Sequence, residues 1–283
     1  MTTTTTTAQS LAQVRPPREA YRRAFVALLA RDAAMVRKNL RMFVMRTIMQ
    51  PLLLMFVFTY VFPKIGQGVG GSAGDVNAEA EFSTILVAGV VGLAIIFQGV
   101  QAVALPLVTE FGYSKEIEDR VLAPLPVSLV AIEKIVAGML QGLISAALVF
   151  PIAAFVPATS PHLRVNWLIL LTLAPLAGWT SAALGLALGT KVQPMQVPQL
   201  FAFIVLPMTM LGCIYFPWTA LSSIRWLQVA VLVNPLVYMC EGFRAALTES
   251  PHMSLIAVYG ALLGFAALFT RQGVKGFEGR VID

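Results

Sequence analysis

The chain has 283 residues, of which 58% are hydrophobic and 12% are charged, and its formal net charge is +6. Soluble domains carry charge on about a quarter of their residues, so the composition excludes an ordinary water-soluble protein and indicates a surface that faces lipid. Two cysteines exclude a disulfide framework and a paired-cysteine metal motif. We predict that Cys213 and Cys240 are buried or interfacial thiols, and the sequence leaves a bridge between them open if both lie on the outer side.

The first 41 residues precede any apolar run long enough to cross a membrane. Residues 1–17 are a polar, low-complexity tail without the apolar core of a signal peptide. Residues 18–41 are predicted to form an amphipathic helix that lies in the cytoplasmic membrane interface, with its bases near anionic headgroups. The alternative is a simple positively charged anchor. Apolar side chains recur at helical spacing at Tyr21, Phe25, Leu28, Leu29, Val36, Leu40 and Phe43.

Seven uncharged runs follow, and six of them are long enough for a membrane span, which needs about 20 residues. The runs are Thr47–Pro63, Phe82–Thr109, Ile135–Leu163, Val165–Thr190, Val192–Ile224, Trp226–Cys240 and Met253–Thr270. The run Trp226–Cys240 is too short and is interrupted by Pro235, which indicates a segment that enters the membrane and returns. The sequence therefore predicts an all-α polytopic membrane protein, with six transmembrane helices in a domain over residues 42–270.

The distribution of lysine and arginine predicts the orientation of these spans. Nine of the twenty such residues precede residue 47, and alternating the sides of successive spans places sixteen of them in the cytoplasm. Both termini are therefore expected to be cytoplasmic, and residues 271–283 are expected to form a C-terminal tail. Trp167, Trp218 and Trp226 fall near the predicted outer boundary, as aromatic belt residues do, whereas Trp179 lies deeper and is expected to be a packing residue.

Residues able to carry chemistry are scarce in this sequence. It contains no HExxH or Asp-rich metal motif, and no lysine is followed by Ser or Thr as a Walker A motif requires. We therefore expect no catalytic site, metal or cofactor on this chain. Gln98, Gln101 and Thr209 are candidates to line a transport pathway, and Pro207 is expected to kink the fifth span. Packing between helices is the commoner use of such side chains.

The stretch "EFGYSKEIEDR", residues 110–120, concentrates charge between the second and third spans. Ser114 can cap a helix, while Glu116 and Arg120 complement the dipole at its two ends. Prolines at positions 124 and 126 then stop the helix. We predict a short polar helix over Lys115–Leu122 on the cytoplasmic side, with a solvated loop as the alternative.

Residues 212–247, "GCIYFPWTALSSIRWLQVAVLVNPLVYMCEGFRAAL", resemble the signature region of ABC-2 type permeases, the membrane subunits of a class of bacterial ABC exporters. The matching positions are Gly212, Phe216, Pro217, Leu221, Trp226, Leu227, Asn234, Pro235, Leu236, Tyr238, Glu241 and Arg244. Proline suits the start of a short helix, so Pro217 and Pro235 fit outer re-entrant helices. Glu241 and Arg244 can pair on one helical face.

The resemblance implies an outer re-entrant or gate region between spans five and six, formed by Phe216, Pro217, Asn234, Pro235, Tyr238, Glu241 and Arg244. The pair of Glu241 with Arg244 is expected to be structural, with an exit gate as the alternative. The resemblance also implies a coupling helix that seats in a groove of the ATPase subunit. Its residues would be Lys115, Glu116, Ile117, Glu118, Asp119, Arg120, Val121 and Leu122.

The implied assembly contains two ATPase subunits, which bind ATP and Mg²⁺, and a second permease subunit in a homodimer or a heterodimer. The pathway is expected at that subunit interface, near spans one, two and five, in a bacterial inner membrane and without a nucleic-acid partner. The expected cargo is hydrophobic or amphipathic, as in the drug and lipid efflux branch. The alternatives are a permease that exports polysaccharide or glycolipid, an ion-coupled carrier and a lipid-modifying enzyme.

Overall fold

The computed structural model describes residues 17–65, 76–111, 125–192, 194–196, 199 and 201–282, and within these ranges every regular element is a helix. In chain order the α-helices are α1 Pro17–Lys38, α2 Leu40–Lys64 with a π-helical turn at Val57–Val61, α3 Val76–Thr109, α4 Val127–Phe155, α5 Trp167–Gly189, α6 Leu206–Met210, α7 Arg225–Ala230, α8 Pro235–Leu247 and α9 Leu255–Ile282.

Five of these helices, α2, α3, α4, α5 and α9, are long and apolar enough to cross a membrane. The chain is thus an all-α polytopic membrane protein, as the sequence predicts. The five coincide with predicted spans one to four and six. In the described part of the predicted fifth span, a π-helical segment Phe201–Val205 leads into α6, and a 3₁₀ segment Trp218–Ser223 follows.

The segment predicted to re-enter the membrane is sharply bent. Helix α7 and the 3₁₀ turn Val231–Val233 meet α8 at an angle of 98° at Asn234. Such a bend excludes a straight crossing by this segment, which agrees with its short length and with Pro235 in the sequence. Because the chain bends sharply at this one residue, α8 can pack against the long helices, whereas α7 lies apart from them.

Helix α3 forms the centre of the fold and packs against α4, α5 and α8. Most of its side chains are buried, and its glycines permit unusually close approach. A Cβ atom at Gly89 would lie 2.3 Å from the carbonyl oxygen of Ile214, and one at Gly185 of α5 would lie 2.8 Å from that of Val100. Small residues allow membrane helices to approach in this way.

Helix α1 is amphipathic in the structure. Leu28 is buried against α3 and α4, whereas Arg22, Arg23 and Arg37 are exposed. The helix ends at Lys38, and Asn39 interrupts the helical geometry before α2 begins. The break between α1 and α2 therefore lies at Asn39, within the range 18–41 predicted as one helix.

The residues expected to form a C-terminal tail continue α9 as far as Ile282. Phe277 is buried and contacts the ring of Phe111 at a centroid distance of 5.7 Å. The guanidinium of Arg280 lies 5.0 Å from the centroid of the same ring and donates hydrogen bonds to the carbonyl oxygens of Gly189 and Thr190. The end of α9 thus packs on the end of α5.

Candidate functional site

The start of α8 is fixed by the Asn-Pro pair that the sequence singles out. The side-chain oxygen of Asn234 accepts a hydrogen bond from the backbone N–H of Leu236 at 3.0 Å, and Pro235 occupies the first helical position. The side-chain amide of Asn234 also donates to the carbonyl oxygen of Met208 at 2.7 Å. Asn234 therefore caps α8 and ties it to α6 at the same time.

Glu241 is the most highly coordinated side chain of the outer region. Its Oε1 atom accepts hydrogen bonds from the backbone N–H of Trp218 at 2.7 Å and from Arg244 at 2.5 Å. Its Oε2 atom accepts from the backbone N–H of Met253 at 2.7 Å. One fully buried carboxylate therefore joins the 3₁₀ segment, α8 and the loop before α9.

Arg244 completes this connection from the other end of the ion pair. Its Nη2 atom donates to the carbonyl oxygens of Cys213 at 2.9 Å and of Phe216 at 3.3 Å. Cys213 adopts a left-handed backbone conformation with φ of 52°, which turns its carbonyl within reach of the guanidinium. Cys213 and Cys240 are both buried free thiols, as predicted.

We name Glu241, Arg244 and the backbone groups that they bind the outer clamp. Both side chains are fully buried, and their bonds hold segments that lie between 3 and 31 residues apart. A gate must exchange partners as it opens, whereas this pair is enclosed and bound on both sides. The geometry therefore favours the structural role over the exit gate.

The remaining predicted residues of the outer region lie around the clamp. Pro217 precedes the 3₁₀ segment, and Phe216 supplies one of the carbonyl oxygens bound by Arg244. The hydroxyl of Tyr238 donates to the carbonyl oxygen of Leu232 at 3.0 Å, across the bend. The structure thus brings all seven predicted residues of this region into one compact unit.

A cavity of about 560 Å³ lies on the side of the molecule where α1 and α2 meet α3 and α4. Its lining is mixed, with apolar contributions from Met42, Phe43 and Leu105 and polar ones from Gln101 and Arg46. A space of this size and polarity suits a small amphipathic molecule. Among the pathway candidates, Gln101 lines this cavity.

The other pathway candidates lie elsewhere. Gln98 is buried, accepts a hydrogen bond from Thr47 at 3.3 Å and lies 3.5 Å from the side-chain oxygen of Gln141. Thr209 is buried and donates to the carbonyl oxygen of Leu206 in its own helix at 2.8 Å. Pro207 stands where the π-helical segment Phe201–Val205 gives way to α6. The structure therefore does not bring Gln98, Gln101 and Thr209 to one cavity.

Three charged residues form a cluster beside the cavity, which we name the inner ion cluster. The ammonium of Lys134 lies 2.9 Å from a carboxylate oxygen of Glu110 and 3.5 Å from one of Asp32. Lys134 and Glu110 are almost fully buried. Because the three residues belong to α4, to the end of α3 and to α1, the cluster joins α1 to α4 and to the end of α3.

The predicted coupling helix, Lys115–Leu122, lies outside the described residues, which end at residue 111 and resume at residue 125. The described residues hold no group of three or more His, Cys, Asp or Glu side chains that could bind a metal ion.

Sequence reasoning missed the partners that make the outer clamp and the inner ion cluster. Trp218 and Met253 contribute only backbone N–H groups, so the type of residue at these positions does not reveal their role. Asp32 and Lys134 are 102 residues apart. A signal did exist for Glu110 and Lys134, because each stands next to a long apolar run and a charge in that place needs a partner.

Comparisons with known proteins agree with the resemblance. A family model described as ABC-2 type transporter matches residues 23–248. The inner membrane transport permease YadH of Escherichia coli K12 is 27% identical over 249 residues, which cover 87% of this chain and 92% of the relative. The proteins of the same name from Escherichia coli O157:H7 and Shigella flexneri match to the same extent.

Proposed function

This chain belongs to the ABC-2 type transporter family, and on that premise we propose that it is the permease of an ATP-driven exporter. It moves a hydrophobic or amphipathic molecule out of the cytoplasm or the inner leaflet. The family match across residues 23–248 carries this proposal, because it spans α2 to α8 and includes the inner ion cluster and both charged side chains of the outer clamp.

The chemistry of the cavity supports the class of cargo. Its lining combines thioether and aromatic side chains with an amide, a guanidinium and the inner ion cluster. Methionine adapts its shape to different apolar ligands, and the polar groups can hydrogen-bond the head of an amphipathic molecule. The cavity adjoins the interfacial helix α1, so cargo from the inner leaflet would meet it first.

ATP hydrolysis belongs to a separate ATPase subunit in this proposal, with two copies per transporter. The proposed contact is the helix Lys115–Leu122, whose two ends the inner ion cluster would hold in place. Both termini and this loop then lie in the cytoplasm of a bacterial cell, which agrees with the excess of lysine and arginine on that side.

A second permease subunit, identical or homologous, would complete the pathway. Helix α2 supports this arrangement, because it presents a continuous apolar face to the outside of the subunit at spacings of three and four residues. The exposed side chains of this face are Met42, Met45, Met49, Leu53, Phe56 and Tyr60. This face, with α3 and α6 beside the interface, is the proposed boundary of the pathway.

Co-purification with a candidate ABC ATPase subunit tests the proposal. The complex in lipid nanodiscs should hydrolyse ATP faster when amphipathic compounds are added. An ATPase whose Walker A lysine is replaced should bind the permease but show no stimulation. Failure of the two proteins to associate, or stimulation that persists with the permease omitted, would contradict the proposal.

A further inference from the structure

A groove of about 720 Å³ runs between α5 and α9 on the outside of the subunit, away from the cavity and the outer clamp. Its walls are apolar: Leu176 and Trp179 come from α5, and the small side chains of Ala266 and Ala267 come from α9. The indole N–H of Trp179 donates to the hydroxyl of Thr270 at 3.0 Å, which ties the two helices together along the groove. Trp179 is therefore bound at its polar edge while the rest of the ring is partly exposed.

One end of the groove is basic. Arg271 and Lys275 lie four residues apart on α9, both line the groove and both are exposed. Among the described residues, none that lines the groove is an aspartate or glutamate, and Glu278, three residues beyond Lys275, is not among them. The groove therefore offers an apolar channel with a positively charged end.

The length of the groove matches one leaflet of a bilayer. Twelve residues separate Leu263 from Lys275, which corresponds to about 18 Å of helix. One leaflet contributes roughly 15 Å of hydrocarbon, half of the usual core thickness. With Lys275 at the level of the phosphates, Leu263 lies near the middle of the membrane.

We propose that this groove binds an anionic phospholipid of the cytoplasmic leaflet. One acyl chain lies between Trp179 and the alanines of α9, and the phosphate pairs with Arg271 and Lys275. Basic pockets between transmembrane helices on the cytoplasmic side bind anionic headgroups in this way. The inference rests on the cytoplasmic placement of the C-terminus in the proposed function.

A second copy of the chain is the competing occupant. Charge favours the lipid, because a partner surface would have to supply carboxylates opposite two neighbouring bases, whereas the anionic leaflet supplies phosphates at that depth. An acyl chain also fits a narrow apolar groove flanked by alanines, because its packing there requires no specific partner side chains.

Trp179 provides a direct probe of the groove. The full-length permease is placed in phosphatidylcholine nanodiscs that contain a small, fixed fraction of lipid with brominated acyl chains, either phosphatidylglycerol or phosphatidylcholine. Bromine quenches tryptophan on contact, and subtracting the signal of Trp179→Phe isolates the contribution of this ring. Because two basic side chains line the groove, we expect brominated phosphatidylglycerol to quench Trp179 with an apparent affinity roughly tenfold higher than that of brominated phosphatidylcholine.

The variant with both Arg271→Gln and Lys275→Gln should lose this preference yet keep its quenching by phosphatidylcholine, which shows that the groove is still folded. The matched control is Lys191→Gln, because Lys191 is an exposed base at the same end of the molecule that bonds Gln272 and does not line the groove. It should keep the preference. Equal quenching by the two lipids, or a preference that survives the double substitution, would overturn the proposal.

Absence of quenching by either lipid would also overturn it and would indicate that a second copy covers the groove. The measurement involves neither ATP nor cargo. A negative result would therefore leave the proposed transport function unaffected.

Discussion

Glu241 and Arg244 form a buried ion pair whose charges are satisfied almost entirely by backbone groups of three separate segments. Taking two charges out of water is costly, so such a pair is a weak source of net stability. Its value lies in geometry, because only the ionised pair can hold the loop at Cys213, the 3₁₀ segment and α8 together. The outer region is therefore expected to be rigid at this point.

The substitution Glu241→Gln should destabilise the folded protein, because it leaves the Arg244 guanidinium buried without a counter-charge. Loss of one partner of a buried pair costs about 3–5 kcal/mol. The matched control is Glu249→Gln, which removes an exposed ion pair with Arg164 worth less than about 1 kcal/mol. Thermal unfolding in detergent can be followed with a thiol-reactive dye, since both cysteines are buried until the protein unfolds.

An exit gate would give a different result. In that case Glu241→Gln would unfold at the same temperature as Glu249→Gln and would change transport alone. Equal unfolding temperatures of the two variants would thus contradict the structural role of the outer clamp.

Gln101 and Thr209 differ in what their side chains can offer to a cargo molecule. Gln101 lines the cavity, whereas the hydroxyl of Thr209 already bonds the carbonyl oxygen of Leu206. Gln101→Ala should therefore raise the cargo concentration that half-maximally stimulates the ATPase by roughly three- to tenfold, as loss of one or two hydrogen bonds predicts. Thr209→Ala should change it less than twofold. A larger effect of Thr209→Ala would place the pathway at α6 instead of the cavity.

At the scale of the helices, the proposed point of contact with an ATPase is the loop between spans two and three, which follows Glu110 of the inner ion cluster. Reversal of both Glu118 and Asp119 to lysine should leave the permease inserted and folded but abolish its association with the ATPase, because these charges select the partner. Glu249→Lys, which changes an exposed acid on the proposed opposite side, is the control and should bind normally. Normal association of the double variant, measured by co-purification, would show that the loop has no coupling role.

The sequence was sufficient to predict the five spans that the structure shows and the break at Pro235, because apolar length and proline act locally. It also placed the start of α8 and the pair of Glu241 with Arg244, whose members are three residues apart. It could not supply the bonds from Arg244 to Cys213, or from Lys134 to Asp32, since these join residues that only the packed helices bring together. Gln98 and Gln101 lie three residues apart and were grouped together, yet only Gln101 lines the cavity beside α1.

At the scale of the whole molecule, the proposed orientation places Ser222 outside the cell and Lys191 in the cytoplasm. Both are exposed, whereas the two native cysteines are buried and should give no background. A membrane-impermeant maleimide should label Ser222→Cys in intact spheroplasts and Lys191→Cys only after the membrane is opened. The reverse pattern would invert the topology, and with it the assignment of the inner ion cluster to the cytoplasm.

In the proposed function, this subunit receives work from the ATPase on one side of the membrane and releases cargo on the other. Inside-out membrane vesicles expose the cytoplasmic face, so added ATP reaches the ATPase directly. Vesicles that contain the permease and its ATPase should accumulate an amphipathic fluorescent cargo when ATP is added, even with an ionophore present. A Walker A lysine variant of the ATPase should abolish the uptake. Uptake that needs no ATP and collapses with the ionophore would identify an ion-coupled carrier and contradict the proposed function.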